Sequence, residues 1–292
     1  MKFTSRFAGL GKTFADYKKA AYVVIPVPYE RTVSYGKGTA KGPGAIIEAS
    51  CNMELYDEEL DCNTAELGIA TLAPVGVDDS PDILAEKLRA VCLKVLRDDK
   101  FPVVLGGEHS ISLGTLLALK DRYKDVSVLQ FDAHADLRDE YRGSRYSHAC
   151  VMRRIREHAP AVQVGIRSFS DDEAPLVKKE RRNIFFAADM QKKDMTKEIA
   201  SRLGRNVFIT FDVDAFDPSM MPSTGTPEPG GLDWYEALGI IRRVCEERDV
   251  VGFDAVELAP NPSNVAPDYT VARLVYKVMG YVSRGFLREK NK

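Results

Sequence analysis

Apolar residues in this chain fall into short continuous runs, separated by longer stretches where they recur every three or four positions. A short unbroken run bounded by Gly, Pro or charged residues reads as a strand buried on both faces, and the spaced pattern as an amphipathic helix packed over it. Strands are predicted over 21–27, 67–72, 101–105, 126–131, 162–166, 184–186, 207–211 and 250–256. Helices are predicted from Pro43 through Ala49, then over 80–97, from Glu108 through Lys120, over 148–158, 196–203 and 233–247, and from about Asp268 to Arg284. Alternation of the two predicts an α/β fold, a three-layer αβα arrangement with a mainly parallel central sheet. No break in composition divides residues 1–292, so one domain is expected, with residues 1–20 as an N-terminal arm of weak helical character.

Composition narrows the chemistry. With 292 residues, 45% of them apolar, the chain can bury a substantial core. Its formal charge of −2 comes from interspersed signs, which argues against a nucleic-acid surface or a polybasic membrane contact. No stretch reaches signal-peptide or transmembrane length, so a soluble cytoplasmic protein acting on a small molecule is expected. Cys51, Cys62, Cys92, Cys150 and Cys245 are widely spaced without a CxxC pair, as fits reduced packing thiols.

The chemistry-bearing residues gather where strands end. Asp132, His134 and Asp136 follow one apolar run at alternate positions, and Asp212 and Asp214 follow another. In extended chain, alternate side chains share a face, so each set can converge on a point. His109 and Glu257 also stand just beyond predicted strands, and open parallel sheets collect ligands beyond the carboxyl ends of their strands. Two imidazoles and four carboxylates without thiolate suit Mn²⁺ or another hard to borderline divalent ion. Four Asp charges are balanced by two divalent cations, whereas one would leave buried like charge uncompensated. Such a pair, about 3.5–4 Å apart, can activate a water near neutral pH. Individually these Asp residues could be helix caps, but D-x-H-x-D and D-x-D both at strand ends argue against that reading. The glycines of the 34–44 loop match neither phosphate-binding pattern and are read as a structural turn.

Three segments then carry a resemblance: Gly106-Gly107-Glu108-His109-Ser110, Phe131-Asp132-Ala133-His134-Ala135-Asp136, and Ile209 to Asp214 continuing through Asp217-Pro218, Gly225-Thr226-Pro227 and Gly230-Gly231-Leu232. In order and spacing the chain resembles the arginase/agmatinase ureohydrolases over nearly its whole length. The resemblance implies two Mn²⁺ per subunit: His109 and Asp136 on one ion, His134 and Asp214 on the other, Asp132 and Asp212 bridging. It implies that His148 is the catalytic proton shuttle and that Glu257 anchors the substrate guanidinium. It also implies a homo-oligomer, a trimer or hexamer. The charged loop 137–146 looks more like agmatinases than arginases, so agmatine hydrolysis to putrescine and urea is the leading expectation. Asp139, Glu140 and Glu228 are the candidates to meet a substrate amine. Arg138, Arg142 and Arg145 keep open a carboxylate-bearing guanidino acid, through an arginase, guanidinobutyrase, guanidinopropionase or formiminoglutamase activity. A zinc-dependent deacylase on the same general fold is the more distant alternative.

Overall fold

The computed structural model describes residues 5–77 and 80–290. Its strands are β1 (Tyr22–Val27), β2 (Tyr56–Asp57), β3 (Cys62–Asn63), β4 (Ile69–Thr71), β5 (Phe101–Gly106), β6 (Val126–Phe131), β7 (Ala161–Ile166), β8 (Ile184–Phe186), β9 (Asn206–Asp212) and β10 (Asp249–Val256). The helices are α1 (Gly42–Ser50), α2 (Pro81–Arg97), α3 (Ser112–Arg122), α4 (Val151–Ile155), α5 (Ala174–Lys179), α6 (Ala187–Met190), α7 (Thr196–Ser201), α8 (Trp234–Glu247) and α9 (Ala266–Lys290). Eight strands form one sheet in the order β4-β1-β5-β10-β9-β6-β7-β8, and every pairing in it is parallel. The mainly parallel three-layer architecture expected from the sequence is present, and β2 and β3 form a separate small hairpin.

Alternation along the strands sorts the core into two layers. Val24, Val103, Leu129 and Ile209 face α1, α7, α8 and α9, whereas Val23, Val104, Val128 and Phe208 face α2, α3, α4 and α5. Because both faces are covered, the strands carry unbroken apolar runs, the pattern that made them legible. Local chemistry sets several helix starts: Pro43 and Pro81 occupy first-turn positions, and Asp233 and Glu236 form a capping box that opens α8.

Several elements differ from the expectation. The helix predicted over 148–158 is a 3₁₀ turn at His148–Cys150 followed by the short α4, so His148 lies ahead of the α-helix. The short helices α5 and α6 went unpredicted, each too brief to show a helical period. Of the N-terminal segment, residues 1–4 lie outside the described residues. Beyond them Phe7 is fully buried, its N–H donates to Thr71 Oγ1, and the Phe14 carbonyl accepts from Ile69 N–H.

Candidate metal centre

Four central strands, β5, β10, β9 and β6, deliver the candidate ligands at their carboxyl ends. Phe131 of β6 lies opposite Phe211 of β9, so the residues that follow each strand emerge side by side. The two emergent segments are bonded to each other: Ala133 N–H donates to Asp214 Oδ1 at 2.9 Å. His109 enters from β5 through Gly106 and Gly107, where a side chain on Gly107 would put Cβ 1.9 Å from the Tyr29 carbonyl oxygen.

His109 Nδ1 is the centre of the arrangement. It is buried and makes no hydrogen bond, yet Asp132 Oδ2, Asp136 Oδ2 and Asp212 Oδ2 stand 3.1, 3.3 and 3.4 Å away. Its other nitrogen, Nε2, is engaged by Thr210 Oγ1 at 2.9 Å, which fixes the ring plane. A second cluster joins His134 Nδ1 to Asp214 Oδ2 at 2.9 Å and to Asp132 Oδ1 at 3.6 Å. His109, Asp132 and Asp212 form one candidate metal-binding group, and Asp132, His134 and Asp214 a second. Asp132 belongs to both, with one oxygen toward each histidine. This donor set, oxygen-rich with two imidazoles, fits two adjacent hard to borderline divalent ions.

Without a cation, the charges here are poorly balanced. Burial, with Asp132 nearby, pushes Asp136 up to about 7. Burial also raises Asp212 and Asp214, each reinforced by neighbouring carboxylates. The imidazoles shift the other way in charge: burial opposes protonation of His134, but Asp214 and Asp132 push it up to about 12. Asp136, Asp212 and Asp214 thus resist ionisation, whereas Asp132, despite its burial, is held below the usual carboxylate range by His109 and His134. Carboxylates crowded in this way are the electrostatic imprint of a site built around positive charge.

Alternation of faces accounts for only part of the convergence. His134 continues the line of β6, pairing in parallel with Ser168, so Asp132 and His134 are placed as expected. Asp136 instead has φ of 52°, in the left-handed region, and turns toward His109 by a backbone bend. Asp214 lies in a 3₁₀ turn whose start is capped by Asp212, with Asp214 N–H donating to Asp212 Oδ1 at 2.9 Å. Glu257 also takes a left-handed φ, 66°, directly after β10.

Around the clusters lies a cavity of about 240 Å³, lined by His134, Asp136, His148, Asp212, Asp214 and Glu257 among others. Six candidate residues thus share one space; His109 and Asp132 are buried and do not line it themselves, His109 Nδ1 facing the lining carboxylates of Asp136 and Asp212. Glu257 is buried, and burial together with Glu108 raises its carboxyl well above the usual range. Burial lowers His148 to about 4.

The expected amine-binding carboxylates are placed differently. Asp139 is exposed and paired with Arg154 and Arg145, Glu140 is exposed, and neither lines the cavity. The loop turns Asp139 toward α4, where Arg154 is a buried cation that requires a counter-ion. Glu228 comes within 3.9 Å of His134 Nε2 at the edge of the second cluster. Sequence reading missed Ser34, Tyr35, Phe169 and Glu173, all of which line the cavity. None carries a local motif; Glu173 is fixed by accepting from Leu137 N–H and Ser170 N–H at 2.7 Å each. Arg167 was missed as well: its guanidinium donates to the carbonyls of Gly165, Asp214, Ala215, Phe216, Glu228 and Pro229, clamping the segments that carry Asp214 and Glu228.

Residues 20–280 match the model of the arginase family. The chain belongs to the arginase family. Among arginase-family relatives, an N(1)-aminopropylagmatine ureohydrolase of Synechocystis is 41% identical over 280 residues, covering 92% of each chain. An agmatinase of Pyrococcus horikoshii is 33% identical, covering 97% of this chain and 99% of the relative. The crystal structure of the agmatine ureohydrolase of Thermoplasma volcanium superposes with a TM-score of 0.86 at 31% identity, covering 98% of this chain and 96% of that one. The chain is thus an arginase-family hydrolase acting on guanidino or amidino groups, of agmatinase type. Among the described residues, no helix is long and apolar enough to cross a membrane.

Proposed function

We propose that this chain releases urea from an agmatine-type amine by hydrolysing its guanidino group at a pair of Mn²⁺ ions. The observation that carries this reading is His109 Nδ1, buried, unpaired and faced by three carboxylate oxygens beside a second histidine–carboxylate cluster. His109, Asp132, Asp136 and Asp212 would hold one ion, and Asp132, His134, Asp212 and Asp214 the other. Bound there, the ions supply Lewis acidity and activate a water at neutral pH.

The chain's own residues do the rest. Glu257 binds the guanidinium by a charge-assisted hydrogen bond and turns its carbon toward the floor of the cavity. A resonance-stabilised guanidinium is a poor electrophile, so this placement is a requirement of the reaction. Asp136 takes up the proton released as the water attacks, and His148 delivers one to the departing amine nitrogen as its C–N bond breaks. Agmatine would give putrescine and urea.

A second substrate of the same class is agmatine carrying an aminopropyl extension, the compound in the Synechocystis relative's name. Tyr35 and Phe169 in the cavity lining are 83% and 42% exposed, so the outer end of the cavity is open and a longer amine need not be enclosed. Hydrolysis of that substrate would leave spermidine. The deciding assay measures urea from agmatine, N(1)-aminopropylagmatine, arginine, guanidinobutyrate and guanidinopropionate with Mn²⁺, and formamide from formiminoglutamate. Urea from the first two and not from arginine is expected. Manganese-loaded protein that yields urea from none of the guanidino compounds would reject the proposal, and a stoichiometry of one zinc would favour a deacylase.

A further inference from the structure

Thr32, in the segment that follows β1, and Glu108, which precedes His109, meet beside His148. Glu108 is fully buried. Its Oε2 accepts from the backbone N–H groups of Arg31 and Thr32, both at 2.6 Å, and its Oε1 from the hydroxyls of Thr32 and Ser110, also at 2.6 Å. Four donors converge on a group whose ionised form only accepts.

The direction of these bonds propagates. The Thr32 hydroxyl spends its one proton on Glu108, so Thr32 Oγ1 has only lone pairs left. Those lone pairs face His148, whose backbone N–H lies 3.0 Å away and whose ring Nδ1 lies 3.1 Å away. Nδ1 must then carry a hydrogen, and the lone pair of the neutral ring falls on Nε2. Nε2 stands 2.9 Å from Ser34 Oγ, whose hydroxyl has one proton to give, to Nε2 or to the Tyr141 hydroxyl oxygen 3.2 Å away. Ser34 and Tyr141 both line the cavity.

We propose that Glu108 is a positioning residue that acts through Thr32 to hold His148 as the Nδ1–H tautomer, with its basic nitrogen Nε2 on the Ser34 side of the cavity. The arrangement repeats the logic by which a carboxylate orients a catalytic histidine, with a threonine hydroxyl interposed. It rests on the reading of His148 as the proton carrier, and the test separates the two.

Thr32→Val keeps the shape and removes the hydroxyl; Thr32→Ser keeps the hydroxyl. Thr32→Val should lower kcat for urea release by about 10–100-fold, while KM and metal content stay within about two-fold, and Thr32→Ser should recover most of the loss. ¹⁵N-histidine NMR of the zinc-loaded protein, with the His148 signal assigned by comparison with His148→Asn, should show Nδ1–H in the native chain and a mixture of tautomers in Thr32→Val. An Nε2–H tautomer in the native chain overturns the proposal whether or not Thr32→Val folds. If His148→Asn abolishes turnover while Thr32→Val leaves kcat unchanged, the positioning role fails alone. If His148→Asn keeps full kcat, the proton-carrier reading fails and takes this proposal with it.

Discussion

The main-chain N–H of His109 donates to Oε1 of Glu257 at 2.7 Å, joining the residue at the centre of the first cluster to the carboxylate at the end of the neighbouring strand. The tie is reciprocal along the backbone, because Glu257 N–H donates to the Gly107 carbonyl, also at 2.7 Å. One oxygen of Glu257 is thereby fixed by the chain, leaving the other for a cationic ligand. Any change that separates the ends of β5 and β10 therefore disturbs both the cluster and the proposed guanidinium anchor.

Gly107, at the end of β5, packs directly against the segment that follows β1. A Cβ there meets the Tyr29 carbonyl oxygen at 1.9 Å and the Tyr29 carbonyl carbon at 2.8 Å, backbone that cannot rotate aside. Gly107→Ala should destabilise the protein by about 1–3 kcal/mol, the range for overpacking a close contact. Chemical denaturation should register the loss, and the folded fraction should bind less metal than the native chain. Unchanged stability with full metal content would show that the approach of Gly107 to the Tyr29 backbone is not tight.

His134 contributes one nitrogen to the second cluster and none to the first. His134→Asn should reduce bound Mn²⁺ from two towards one per chain. Urea release should fall in parallel, by about 10²-fold or more, since even changes outside the ligand shell cost about 10–100-fold. Metal analysis and turnover measured on the same preparation decide it: full metal content with unchanged activity contradicts the assignment.

Asp254 lies in β10 beneath the site, fully buried, and neither carboxylate oxygen has a hydrogen-bond partner. Burial pushes it up to about 6. Because the folded value exceeds the unfolded one, near ~3.9, the native state loses stability as pH rises from about 4 through about 6 and stays penalised above that. The penalty is roughly 3 kcal/mol at full ionisation, at about 1.4 kcal/mol per pKa unit. Asp254→Asn, compared with the native chain after metal removal, should gain relative stability between pH 4 and pH 7. A difference that does not change with pH would mean that Asp254 does not titrate in this window.

Much of the candidate site was legible because parallel sheets make it so. Continuous apolar runs ending in Asp, His or Glu identified the ends of β5, β6, β9 and β10; the last three ends share one cavity, and His109 after β5 meets their carboxylates behind it. Asp139 and Glu140 show where that reasoning stops. Their loop has no period, and its direction depends on the buried Arg154, whose need for a counter-ion no local pattern announces. Glu173 and Phe169 lay outside it for a similar reason: they follow β7, and only the sheet order brings that strand's end beside the metal ligands.

By itself the sequence determined the alternation of strands and helices, the parallel sheet buried on both faces, and the identity of the metal-ligand candidates. Each of these depends on periodicity or on side-chain chemistry, which are local properties. The tertiary structure decided how the ligands meet. Asp136 reaches His109 through a left-handed backbone bend, not through strand alternation, and Glu257 is aimed by a hydrogen bond from a residue 148 positions away. It also decided that Thr32 and Glu108 stand behind His148. Such relationships arise when distant segments are packed against one another, and their hydrogen-bond directions are fixed only when every buried donor and acceptor has found its partner.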